Sequence, residues 1–186
     1  MMTALIIIAV LIVIVVLMYN SLIGKKNQVD NIFAGVDAVL KKRYNLIPNL
    51  VSSVQQYMQH EKAILEKVTQ LRAQALQPGI SDEQTIKLDK QISSALGSIM
   101  VAVENYPELK ANENIIHLQR TLSEVEAQIA AARRAYNQAV TDYNNAIEMI
   151  PTNFLANMMH YTRKQVFEIT EGERKNVNVS ELFKQK

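Results

Sequence analysis

Residues 115–147 read IIHLQRTLSEVEAQIAAARRAYNQAVTDYNNAI, and their apolar positions decide the fold. Ile115, Leu118, Leu122, Val125, Ile129, Ala132, Tyr136, Val140, Tyr143 and Ile147 follow one another at steps of three and four. That spacing puts them on one face of an α-helix of about nine turns and predicts coiled-coil-like packing against other helices.

The segments on either side carry the same period. A stripe through Val29, Ile32, Phe33, Val36, Leu40, Tyr44, Ile47, Val51, Val54, Met58, Leu65, Val68 and Leu71 predicts a long helix over 29–72, with its spacing disturbed near residue 61. LQPGIS (76–81) ends it. Ser81 with Gln84 three residues on forms a capping box for a second helix over 82–105, marked by Ile86, Ile92, Leu96, Ile99, Val103 and Tyr106. Pro107 closes that helix and PELKAN connects it to the third. Pro151 ends the third, and Thr152 or Asn153 is placed to cap a short fourth helix reaching about residue 167.

Five Gly and four Pro in 186 residues leave few turns, consistent with a protein built of helices. The expected fold class is all-α: an N-terminal transmembrane helix, then an antiparallel bundle of three long helices and a short fourth. The chain divides into a membrane helix (1–19), a juxtamembrane segment (20–28), a bundle domain (29–168) and an extended or weakly ordered tail (169–186) that contains NVNVSELF.

MMTALIIIAVLIVIVVLMY (1–19) has no charged side chain and as a helix covers about 28 Å, close to the hydrocarbon thickness of a bilayer. A cleaved signal peptide would have a basic start and a small-residue cleavage site, and neither is evident. Lys25 and Lys26 follow the span directly, and no Lys or Arg precedes it. The positive-inside rule then predicts a single-pass protein in a bacterial inner or plasma membrane with its C-terminal domain in the cytoplasm; a periplasmic or extracellular domain is the alternative.

A net charge of +2 supplies no broad basic surface, so nucleic acid is not an expected partner. The absence of Cys excludes disulfides, thiolate metal sites and a cysteine nucleophile. His60-Glu61 lacks the second histidine four residues on that a helical zinc site needs, and His117 and His160 lie far off in sequence. There is no phosphate-cradling loop and no nucleophile elbow, so neither enzyme activity nor cofactor is expected.

Pro48 falls within KKRYNLIPNL (41–50), where it either kinks a continuous helix and frees the carbonyl of Tyr44, or follows a new cap at Asn45. The kink, through Asn45, Pro48 and Asn49, is the preferred reading. Lys41 to Arg43 stand about 30 Å beyond the span, too far to touch lipid, and read as a solvated face or a contact with another chain. Arg133 and Arg134 read as a solvated flank, with Glu124, Glu126 or Glu61 as the carboxylates within a bundle's reach. Tyr136-Asn137 and Tyr143-Asn144 repeat at seven residues: the rings fill the core and the amides set register. Phe154, Leu155, Met158, Met159, Tyr161 and Phe167 form a Met and aromatic face that packs on the bundle or receives a partner.

KKRYNLIPNLVSSVQQYMQHE, YPELKANE and the paired YN motifs, together with the N-terminal span, resemble the LemA family of bacterial membrane proteins over nearly the whole chain. Asn45 stands where that family usually has Asp, and Phe33-Ala34 where many relatives have Trp. The resemblance implies a single-pass protein with a helical cytoplasmic domain and relatives linked to membrane remodelling and to membrane proteases. It brings no catalytic residues. The expected function is a noncatalytic, membrane-anchored scaffold. It would self-associate as a homo-oligomer, because helices of unequal length cannot cover one another. An adaptor of a membrane protease is the alternative, and a metal-dependent enzyme a distant third.

Overall fold

The computed structural model describes residues 1–168; the tail assigned to 169–186 lies outside them. All described secondary structure is helical: α1 (Met2–Val54), α2 (Lys62–Ala75), α3 (Asp82–Val103), α4 (Pro107–Lys110), α5 (Glu113–Glu148) and α6 (Thr152–Met158). The all-α expectation stands, with the boundaries of two helices changed.

The first change is at the stripe over 29–72. It is two helices, because the chain leaves α1 after Val54, turns through 55–61 and doubles back as α2. No Gly or Pro marks the corner. Met58 turns fully inward there, and Glu61 accepts a hydrogen bond from the Tyr106 hydroxyl at 2.7 Å, fixing the corner to the end of α3. The disturbed spacing near residue 61 is the trace of this corner in the sequence.

Ser81 and Gln84 form the expected capping box, with the Gln84 amide donating to the Ser81 hydroxyl at 3.2 Å and the Ser81 amide to the Gln84 side chain at 3.1 Å. Asn112 caps α5 by accepting from the amide of Asn114 at 2.9 Å. The second change is α6. It stops at Met158 and not near 167. His160 has a φ of 53°, and residues 161–168 carry no helix. Its start has no side-chain cap; the Thr152 hydroxyl instead donates back to the carbonyls of Ala146 and Met149, and Asn153 makes no capping bond.

α1 and α5 run antiparallel in one register, with Arg43 bonded to Glu126 and the Phe33 ring 5.3 Å from that of Tyr136. Continuing that register brings Ile147 level with Leu22, and both are buried. The α2–α3 hairpin covers the half of α1 far from the apolar span. Between the span and that half, from Leu22 to about Asp30, α1 is covered by α5, α6 and the segment 161–168, and α5 continues along the rest. One chain therefore covers its own stripes, and unequal helix lengths do not by themselves call for a second copy.

Candidate functional site

The centre of the bundle is ionic. Arg43 from α1 is 0% exposed and donates to Asp89 Oδ1 at 2.5 Å, to Glu126 Oε1 at 2.8 Å and to the Ser93 hydroxyl at 2.7 Å. Arg133 from α5 donates to the other Asp89 oxygen at 2.5 Å. Asp89 on α3 is thus a buried carboxylate held between two guanidinium groups that come from different helices. Burial alone would draw the Arg43 guanidinium below its ordinary range, but Asp89 and Glu126 beside it hold it above. Two cations and two carboxylates balance in charge. The desolvation of such a group costs several kcal/mol per ion before attraction offsets it, so its contribution is specificity of alignment more than net stability. Only one axial setting of α1, α3 and α5 brings these residues level. Both Asp89 oxygens thus accept charge-assisted hydrogen bonds.

This cluster departs from two sequence expectations. The Lys41–Arg43 triplet divides: Lys41 and Lys42 face water, while Arg43 points into the core of its own chain. Arg133 is likewise buried, although Arg134 beside it is exposed, so the solvated flank is a single residue; of the three carboxylates considered, Glu126 joins the cluster, through Arg43. The signal was the phase of the charges. Arg43 sits on the seam between Leu40 and Ile47, Asp89 between Thr85 and Ile92, and Arg133 between Ile129 and Tyr136, each at steps of three and four.

Beside the cluster, the two YN pairs grip the segment 161–168. Asn137 donates to the Phe167 carbonyl and accepts from the Phe167 amide, both at 2.8 Å. Asn144 does the same to Lys164, with both bonds at 3.0 Å. Each carboxamide pairs with one residue's backbone as a neighbouring strand would. Seven residues of helix rise about 10.5 Å, and three residues of extended chain cover about 10 Å, so amides seven apart on α5 match backbone groups three apart. Between them the rings interlock: Tyr136 lies between Phe33 and Phe167, whose centroid is 5.4 Å away, and the Tyr143 hydroxyl donates to the Thr162 carbonyl at 3.2 Å. Phe167 also lies under the Arg133 guanidinium at 5.6 Å, so the segment roofs the ionic cluster. Lys164 bridges to Asp30 on α1 at 2.5 Å, and Arg163 pairs with Glu148.

The remaining sequence-predicted residues are dispersed. α1 continues through Pro48, with Asn45, Pro48 and Asn49 exposed, and the carbonyl of Tyr44 accepts from Arg72 Nε of α2 at 2.8 Å. The proline thereby ties α2 to α1, because the group it frees needs a donor. Lys25 and Lys26 are half-buried, with the Lys26 ammonium 6.0 Å from the Tyr161 ring centre. The Met and aromatic set does not share one face. Phe167 is buried, Leu155, Met159 and Tyr161 pack partly on the core, and Phe154 and Met158 point outward. His60, His117 and His160 are exposed on separate elements, and among the described residues no three His, Asp or Glu side chains converge as metal ligands.

Burial pushes the Tyr44 hydroxyl up to about 12, against the opposing pull of Arg43, and pushes Tyr136 up to about 12 with help from Asp82 and Asp30. A raised folded-state value means stability that is complete below the unfolded value of 10.0 and is lost as pH climbs through the folded one. Between pH 10 and 12, unfolding should become easier by up to about 1.4 kcal/mol per pH unit for each tyrosine. Urea titrations across that window should show a shallower loss for Tyr44→Phe and for Tyr136→Phe. An equally steep loss in both variants would refute the assignment.

The fold and this cluster define an all-helical protein whose bundle is aligned by a buried ion cluster and which has, among the described residues, one N-terminal helix long and apolar enough to cross a membrane. Residues 32–180 match the model of the LemA family, and the chain belongs to that family. It is 29% identical over 163 residues to Protein LemA of Metamycoplasma hominis, covering 88% of this chain and 74% of that one. It is also similar to Magnetosome protein MamQ 2 of Paramagnetospirillum magneticum, at 24% over 192 residues (90% and 71% of the two chains). Magnetosome protein MamQ of Magnetospirillum gryphiswaldense aligns at 23% over 174 residues (80% and 64%).

Proposed function

We propose that this protein is a noncatalytic, membrane-anchored helical scaffold whose copies self-associate to organise or shape the membrane or to cluster membrane proteins. The observation that carries the reading is the continuity of α1. One helix of 53 residues includes the whole apolar span and then forms a side of the bundle. Such a helix has no flexible joint between bilayer and domain, so neighbouring anchors set the spacing and tilt of neighbouring bundles. Lys25 and Lys26 close to the span favour a cytoplasmic domain. Relatives named for the magnetosome, a cell structure and not a reaction, favour an assembly role.

Two measurements test this. Deleting residues 2–19 should release the protein from membranes, and the intact chain in detergent or nanodiscs should have a mass of more than one copy, with self-cross-links in cells. A strictly monomeric mass with no cross-links would end the scaffold reading.

A further inference from the structure

Outside the N-terminal span, large exposed apolar side chains concentrate in one place. Met149, Ile150, Phe154 and Met158 are 63%, 78%, 65% and 77% exposed, within ten residues of one another. Phe154 and Met158 are one turn apart on the face of α6 that points away from the bundle, whereas Ala156 is buried and Leu155 and Met159 pack on the core. α6 packs on α1 and α5.

Its height along α1 follows from the register. With Glu126 beside Arg43, Tyr136 beside Phe33, and Ile147 consequently level with Leu22, the end of α5 and the whole of α6 stand where the apolar span of α1 gives way to Lys25 and Lys26. That is the height of the membrane–water boundary for a helix inserted through residues 2–19.

We infer that α6 is an interfacial element: Met149, Ile150, Phe154 and Met158 enter the headgroup and acyl boundary of the same bilayer that holds α1. This rests on the anchored reading above. The bilayer is the occupant because the apolar surface of residues 2–17 is exposed all along α1 and adjoins this patch, so one lipid phase covers both. A protein cap on α6 would leave the span still needing lipid. Lys25 and Lys26, about one turn or more above the span, stand at headgroup height beside it. With α1 as one attachment and α6 as a second, the bundle is held in rotation as well as in depth.

The sequence contains no Trp, so single tryptophans report position without background. The test uses full-length Phe154→Trp, Met158→Trp, Leu11→Trp and Val101→Trp in phosphatidylcholine–phosphatidylglycerol vesicles, with and without lipids brominated in the upper acyl chain. Emission from Phe154→Trp and Met158→Trp should shift to the blue, be largely quenched by brominated lipid and resist aqueous acrylamide, while Val101→Trp, far from the span, behaves oppositely. Leu11→Trp separates the two readings. If Leu11→Trp is lipid-quenched but both α6 probes are quenched by acrylamide, the anchor stands and the interfacial role falls. If the α6 probes are shielded from both quenchers, protein covers them and the inference is overturned. If Leu11→Trp is itself open to acrylamide, the anchored reading fails and this inference with it.

Discussion

Replacing Asp89 by Asn should destabilise the folded domain by about 3–5 kcal/mol, the usual consequence of removing one member of a buried ion pair. The carboxylate is 1% exposed and, among the described residues, is the only group bonded to both Arg43 and Arg133. Asparagine retains its shape but not its charge, so two guanidinium groups remain in the core with Glu126, paired to Arg43, as the remaining carboxylate of the cluster. The effect should appear as a fall in melting temperature of about 10 °C or more, with helicity retained below the transition. The triple variant Arg43→Met, Asp89→Leu, Arg133→Met should recover most of that stability, because replacing a buried ion cluster by apolar groups of similar volume is often neutral or stabilising. An Asp89→Asn protein that melts with the parent would show that the cluster is not part of the folding core.

The reason these charges matter also explains why they were hard to find. The helices of this chain are legible because their apolar residues recur at steps of three and four, and the capping box at Ser81 and the freed carbonyl at Tyr44 are legible because local backbone geometry demands a partner. Arg43, Asp89 and Arg133 satisfy the same periodicity with the wrong chemistry. A charge next to an apolar stripe is ordinarily solvated, and each one becomes a core residue only because two others on distant helices share its level. That information is tertiary. The corner at 55–61 was obscure for a related reason: QQYMQHE contains no helix breaker, and the chain turns there because Met58 and the stripe of α2 find burial against α3. The Met and aromatic residues after Pro151 read as one helix face on composition, yet the chain leaves helix at Met158, where residues 161–168 gain backbone partners from α5.

Those partners define the second large effect. The paired change Asn137→Ala, Asn144→Ala should detach residues 161–168 while leaving α5 helical. Each carboxamide makes two hydrogen bonds to one backbone residue, and each bond contributes on the order of 1 kcal/mol, so each asparagine should account for about 2 kcal/mol of local stability. The amides of Lys164 and Phe167 donate directly to these side chains, and their hydrogen exchange should accelerate by about 30-fold or more per lost asparagine. Asn144→Gln should not restore protection at Lys164, because an added methylene displaces the carboxamide from a pairing set by about 10 Å on both sides. Unchanged exchange at Lys164 and Phe167 in the double variant would sink the idea. A seven-residue YN repeat on a long helix invites the reading that the amides set the register of one helix on another. Here the same interval equals three residues of extended chain, so the repeat measures out a strap, and the strap in turn places Phe167 against Arg133 at one side of the ionic centre.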